Sequence, residues 1–253
     1  MGNGTPELQA QVEALYEQAR AIDPTFARAY TGLAFIHSNR SIDVIAGVQL
    51  QPDEHRLLGL HLAEQALALD PNDPRVHCTL GTMCARVRDF ERAERHLDLA
   101  RAMNPNDATI QIYWAWLQGA TGQPERGMAA AELAIRLNPR HSLWYDMFLA
   151  RLHFQLGHYQ EASALLEKRI SDSPARHLRD TGWRLAAYAH QGRREEAALC
   201  GEKLVREIGF HWRGEPGAGR SDYMDWIVWS SLLQHAADNE RLRAGLRLAG
   251  LPA

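Results

Sequence analysis

Residues 70–141, DPNDPRVHCTLGTMCARVRDFERAERHLDLARAMNPNDATIQIYWAWLQGATGQPERGMAAAELAIRLNPRH, decide the fold, because the stretch repeats itself. Pro71, Pro105 and Pro139 stand 34 residues apart, a period that holds two helices and a turn but is too short for a domain. Small residues recur in register: Gly81, Ala93 and Ala100 in one repeat, Ala115, Gly127 and Ala134 in the next. Two antiparallel helices approach closely only where a side chain is no larger than a methyl group, and bulkier residues three or four positions away fill the flanking holes. The stretch therefore predicts helix hairpins stacked side by side, an all-α architecture.

Within each repeat the residues follow W-x2-L-G-x2-Y, then A-x3-F, then P, by size more than by identity. One repeat carries His77, Leu80, Gly81, Cys84, Ala93, Leu97, Ala100 and Pro105; the next carries Gln111, Trp114, Ala115, Gln118, Gly127, Ala131, Ala134 and Pro139. On those residues the chain resembles the tetratricopeptide-repeat (TPR) family. The resemblance implies a right-handed superhelical solenoid of antiparallel helix pairs that binds a protein or peptide segment.

Outward from this centre the register continues in both directions. Thr5-Pro6-Glu7 reads as a helix start, with Thr as cap, Pro at the first helical position and Glu at the positive end of the dipole. Leu8, Val12, Leu15, Tyr16, Ala19 and Ile22 keep helical spacing up to Asp23-Pro24. In repeat phase, residues 6–24 are a second helix without its first. The repeat at 25–73 is 13 residues too long, and the surplus lies at 38–53, whose apolar Ile42, Val44, Ile45, Val48 and Leu50 predict a covering element or a docking element. Further repeats occupy 74–107, 108–141, 142–176 and 177–210. The turns RDFERA (88–93), GQPERG (122–127), GHYQEA (157–162) and GRREEA (192–197) align, three opening on a glycine suited to a left-handed residue. HWRGEPGAGR (211–220) reads as a flexible connection. Residues 221–253 follow as a C-terminal capping helix pair: the first capped by Ser221 or Asp222 and apolar nearly all round, the second at about 239–249. Trp226 and Trp229 offer a homodimer contact as the alternative to capping.

Composition narrows the function. Hydrophobic residues at 45% and charged residues at 23% describe a folded chain, and no run of about 18 apolar residues is present to span a bilayer. Neither a secretory nor a myristoylation signal opens the sequence, which predicts a cytoplasmic protein without membrane contact. A net charge of −3 without a dense Lys/Arg block speaks against direct nucleic-acid binding. Cys78, Cys84 and Cys200 lack paired spacing and read as reduced thiols, Cys84 at a packing position. No two of the twelve histidines stand three or four apart, no phosphate-loop, dinucleotide or nucleophile-elbow motif is present, and the carboxylates scatter. No metal, no cofactor and no catalytic residue is expected.

The TPR resemblance assigns the concave wall to fixed positions of each first helix. Carried over by phase, the candidate binding residues are Arg28, Thr31, Phe35, Arg75, Cys78, Thr82, Arg86, Ile112, Trp116, Asp146, His153 and Phe154, with His190 from the drifting fifth repeat. Arginines at one end and aromatics further along suit a segment with an acidic part and an apolar anchor. The alternative is that the arginines are solvated and the aromatics pack against neighbouring helices. The carboxylate-clamp pattern of one TPR subfamily is missing: Thr31, Phe35, Cys78, Thr79 and Thr82 stand in its place. FARAYTGLAFIH (26–37), LALDPNDPRVHCTLG (67–81), MNPNDATIQIYWAWLQGATGQPERG (103–127), LNPRHSLWYDMFLARLHFQLGHYQEA (137–162) and GLRLAGLP (245–252) resemble the C-terminal TPR region of bacterial class III adenylate/guanylate cyclases and winged-helix transcriptional regulators. That likeness implies a regulatory or scaffold module of a bacterial signalling system, or else a small-molecule-sensing regulatory domain.

Overall fold

The computed structural model describes residues 6–40, 52–170, 178–212 and 216–252; the 38–53 surplus and the Thr5 cap fall wholly or mostly outside them. Among the described residues there are thirteen α-helices and no strand. The chain divides into two compact units, residues 1–114 and 115–253, with the division inside one helix.

The N-terminal unit holds α1 (Pro6–Ile22), α2 (Ala27–Arg40), α3 (Pro52–Leu69), α4 (Pro74–Arg86), α5 (Phe90–Met103) and the start of α6 (Ala108–Ala120). Two first helices of this unit begin the same way. Asp73 caps α4 by accepting the Arg75 N–H at 2.8 Å with Pro74 behind it, and Asp107 caps α6 by accepting from Thr109 at 2.8 Å. The residue in the tryptophan position of the motif has a constant task despite its changing identity. Tyr30 Oη donates to the Pro24 carbonyl at 3.0 Å, His77 Nε2 to that of Pro71 at 2.9 Å, and Gln111 Nε2 to that of Pro105 at 2.6 Å. A donor at the end of a side chain of middling length is what the position requires, so tyrosine, histidine and glutamine all serve. The hairpins α2–α3 and α4–α5 close where the small residues were expected: a methyl group on Gly81 would lie 2.9 Å from the Ala93 carbonyl oxygen.

The C-terminal unit holds the rest of α6, then α7 (Pro124–Leu137), α8 (Leu143–Gln155), α9 (Tyr159–Ile170), α10 (Leu178–His190), α11 (Arg194–His211), α12 (Arg220–Ser230) and α13 (Ala236–Leu248). Gly127 approaches the Ala115 carbonyl so closely that an added methyl would sit 2.7 Å from it. Gly122, Gly157 and Gly192 open their turns at φ +76°, +81° and +80°, and in the first unit Arg88 adopts the same left-handed state at φ +65° without being glycine.

Three boundaries differ from expectation. The cap of α12 is Gly219, not Ser221 or Asp222: Asp222 sits three residues into the region and accepts the Gly219 N–H at 2.7 Å, as an acidic side chain in a first helical turn does. That helix stops at Ser230, before the turn in which Leu232 takes φ +60°. The last helix begins at Ala236, a turn earlier than expected, because His235 in extended conformation takes the capping position and Asn239 binds its carbonyl.

Candidate interaction surfaces

In the N-terminal unit the candidate residues lie on α2, α4 and the first half of α6, and they divide by exposure. Arg28 and Arg75, each the second residue of its helix, are both 49% exposed and both paired. Arg28 grips Asp73 through Nε and through Nη2 at 3.1 Å, and Arg75 Nε donates to Asp107 at 2.8 Å. The N-cap carboxylate of one repeat thus also receives the arginine of the repeat before it. Each guanidinium has N–H donors beyond those that meet the carboxylate. Phe35 is partly buried and stacks on Tyr113, centroids 5.4 Å apart, and Arg86 is half-buried. Thr31, Cys78, Thr82 and Ile112 are buried, and the two hydroxyls are spent on their own helices, Thr31 donating to the Arg28 carbonyl at 2.9 Å and Thr82 to that of Cys78 at 2.8 Å. Burial pushes the Cys84 thiol up to about 11 and Cys78 beyond it, so neither is a nucleophile at neutral pH.

In the C-terminal unit Trp116, Asp146 and Phe154 are buried, while His153 and His190 are half-buried. Trp116 stacks on Phe148 at 5.7 Å; Phe154 meets Trp183, Tyr159 and His190 edge-on at 5.0, 5.2 and 5.6 Å. Asp146 accepts from His141 Nε2 at 2.8 Å and lies 3.4 Å from Lys168 Nζ. Here the aromatics pack against neighbouring helices, the alternative weighed above.

The chain's own C-terminal segment covers this face. Trp183 Nε1 donates to Ser231 Oγ at 2.9 Å, Arg179 to the Ser230 carbonyl at 3.0 Å, and His190 Nε2 to the Arg241 carbonyl at 3.1 Å. At the end of α6 the Gln234 N–H donates to the Ala120 carbonyl at 2.8 Å and His235 Nε2 to that of Thr121 at 2.9 Å; Arg241 reaches the Gln155 carbonyl at the end of α8. Two close approaches seat it: a methyl on Gly182 would lie 2.8 Å from Ile227 Cγ2, and one on Gly245 2.9 Å from Ala186 Cα. Trp116, Gly119, Phe148 and Arg151 line a recess closed on one side by Ser231 and Leu233.

Beneath it lies a buried ion cluster. Asp180 accepts from Arg169 Nε at 2.8 Å and Arg151 Nη2 at 3.1 Å, all three side chains no more than 8% exposed. Burial alone would raise the Asp180 pKa, but Arg169, Arg151 and Arg179 hold it well below the usual carboxylate range. Nothing in the 34-residue period marks these residues, which come from three helices; the one signal was an arginine amid the apolar run LWYDMFLARLHFQ.

Histidines separated in sequence meet across hairpins. His37 and His55 stack with Nδ1 atoms 2.9 Å apart, and His77 and His96 with Nδ1 atoms 3.0 Å apart. Since His77 Nε2 carries the proton given to the Pro71 carbonyl, its Nδ1 accepts and His96 Nδ1 donates. Burial, with His55 next, lowers the His37 pKa to about 4. Among the described residues no three metal-ligating side chains converge, and no helix is long and apolar enough to cross a membrane.

Hairpins in strict register, joined through N-cap carboxylates and small-residue contacts, define an all-α helical-repeat solenoid with the TPR fold. No family model matches the chain, and no curated protein matches it. Among solved structures it is similar to a TPR protein of Parabacteroides merdae at TM-score 0.52 and 15% identity, over 96% of this chain and 92% of that one. It is also similar to a thermophilic TPR protein of Thermus thermophilus at TM-score 0.54 and 16% identity, over 79% and 100%. A third likeness is to the Cut9–Hcn1 hetero-tetramer of the APC/C, at TM-score 0.58 and 17% identity, over 96% of this chain and 43% of the other. Identities this low establish the fold.

Proposed function

We propose that the chain is a non-catalytic interaction module that holds a protein or peptide segment on the first-helix face of its N-terminal unit. The observation that carries this reading is the row formed by Arg28 and Arg75, half-exposed and oriented by buried carboxylates, with the partly open Phe35 ring on the same helix as Arg28. Guanidinium groups held in place by a first carboxylate lose little freedom when they meet a second, which favours an acidic segment. Phe35 supplies the apolar anchor. Trp116 and His190 lie against the C-terminal segment, Asp146 and Phe154 are buried against neighbouring helices, and half-buried His153 faces His158, so this proposal gives them no partner contact. A regulatory or scaffold role in a bacterial signalling system, as the cyclase and winged-helix resemblance implies, fits such a module.

Fluorescence anisotropy with labelled peptides graded in acidic content, each carrying one Leu or Phe, tests it. Binding should rise with acidity, weaken with salt, and fall at least about tenfold in Arg75→Gln and Phe35→Ala proteins of unchanged helical circular dichroism. Peptides that bind equally to both variants, or that bind none of the proteins, refute the assignment.

A further inference from the structure

The recess in the C-terminal unit holds a charge that its walls do not fully answer. Most of the lining is apolar, from Trp116, Gly119, Phe148, Leu152 and Leu233, and together with its mouth the space measures about 240 Å³. That lies below the roughly 300–1,000 Å³ of pockets for drug-sized ligands, so an occupant would be small. Two polar side chains of the lining are engaged within the wall: Gln155 Nε2 donates to the Gly119 carbonyl at 2.8 Å, and Ser231 Oγ to the Ile227 carbonyl at 2.7 Å.

Arg151, which also lines the recess, differs from them. It is 7% exposed and its Nη2 is held by Asp180 at 3.1 Å, but no acceptor among the described residues reaches its Nε–H. A buried donor without an acceptor is costly, more so on a charged group, and is rare enough in folded proteins to mark a place where an ion or ligand belongs. Burial, with Arg179 next, lowers the Arg151 pKa to about 10, and an anion beside the guanidinium would offset that loss.

The rim of the recess is strained. Ser231 and Leu233, which close it on one side, flank Leu232, whose backbone holds the left-handed state at φ +60°. That conformation is unfavourable for leucine, and residues held in it gather at ligand clamps. The turn is tied down by the next residue, Gln234, whose N–H donates to the Ala120 carbonyl at 2.8 Å.

We propose that the recess binds a small monocarboxylate, its carboxylate on the Arg151 Nε–H and its short apolar tail against Trp116, Phe148 and Leu233. A single unanswered donor calls for a single anionic group, and the remaining lining offers a second charge nothing to pair with. The site uses none of the residues of the arginine row, so either reading can fail without the other.

Sodium butyrate is the probe, titrated at constant ionic strength into the isotope-labelled 253-residue chain and followed by amide chemical shifts. The Gly119, Ser231 and Leu233 amides should move saturably, with half-saturation below about 1 mM, and butyramide, similar in shape but uncharged, should bind at least about tenfold more weakly. Affinity should rise about fourfold for each methylene from acetate to butyrate. Arg151→Lys keeps a positive charge but loses the planar fork with its Nε–H, and should weaken butyrate at least about tenfold. Because Arg151 also holds Asp180, Leu233→Trp serves as a second variant: it fills the recess, leaves the ion cluster as it is, and should abolish binding with helical circular dichroism unchanged. The absence of a saturable shift in the wild type, equal binding of butyramide, acetate as tight as butyrate, or unchanged butyrate affinity in either folded variant overturns the proposal.

Discussion

Replacing Asp180 by Asn removes one negative charge from between two guanidinium groups, those of Arg151 and Arg169, which are each 8% exposed. The amide still offers one acceptor oxygen, so a hydrogen bond survives; the charge compensation does not. Breaking a buried pair from one side costs about 3–5 kcal/mol, and the retained bond puts the expectation near the lower end, about 3 kcal/mol. For a unit the size of residues 115–253, that corresponds to a fall in melting temperature of roughly 10 °C. Circular dichroism at 222 nm against temperature, and against urea, reads it. The acid limb supplies a second readout. Because the folded carboxyl titrates below its unfolded counterpart, its contribution is complete above the unfolded pKa of about 3.9 and is lost as pH falls towards the folded value. The variant should therefore lose less stability than the wild type on acidification from pH about 4 downward. Replacing Arg151 and Arg169 by Met and Asp180 by Leu together should recover much of the loss, since both fully buried guanidinium groups go with the carboxylate and Arg179 keeps the Ser230 carbonyl. A melting temperature within about 2 °C of wild type for Asp180→Asn, or a neutral triple variant less stable than the single one, would refute the account of the cluster.

Further outcomes follow from other contacts. Gly157→Ala and Gly192→Ala, at positive φ with open space beyond, should each cost about 1 kcal/mol in urea unfolding, whereas Gly122→Ala should cost more, because its methyl displaces His235 from the Thr121 carbonyl. Gly245→Val should loosen the last helix from α10, by about 1–3 kcal/mol, seen as faster amide exchange across Ala236–Leu248; unchanged exchange would contradict the close contact with Ala186. His37 is neutral in the fold, so its contribution is present above the unfolded pKa of about 6.5 and falls away as pH drops towards about 4; His37→Gln should flatten stability in that window. An aromatic disulfide reagent should label Cys200, which is partly exposed, well before Cys78 and Cys84, and all three only after denaturation.

Most of the hairpins were legible because their causes are local. A proline precedes the first helices, with an aspartate cap at α4 and α6, small residues sit where two helices cross, and a left-handed residue ends the first helix, all within one 34-residue period. Even Arg88, the exception among the glycines, was marked by its alignment with Gly122, Gly157 and Gly192. The candidate surface was less legible. Period assigns a residue to a face of its helix, but not to solvent, and Trp116 and Phe154 were placed on the right helices while their exposure depended on what else packs there.

From its residues alone the chain specifies an all-α stack of hairpins, since helix starts, turns and close crossings are short-range and recur. Tertiary structure alone decided which faces stay open. Ser231 reaches Trp183 across 48 residues, His235 reaches Thr121 across 114, and Asp180 meets Arg151 across 29. Contacts over such distances depend on the packed arrangement of whole helices, and no local pattern of spacing records them.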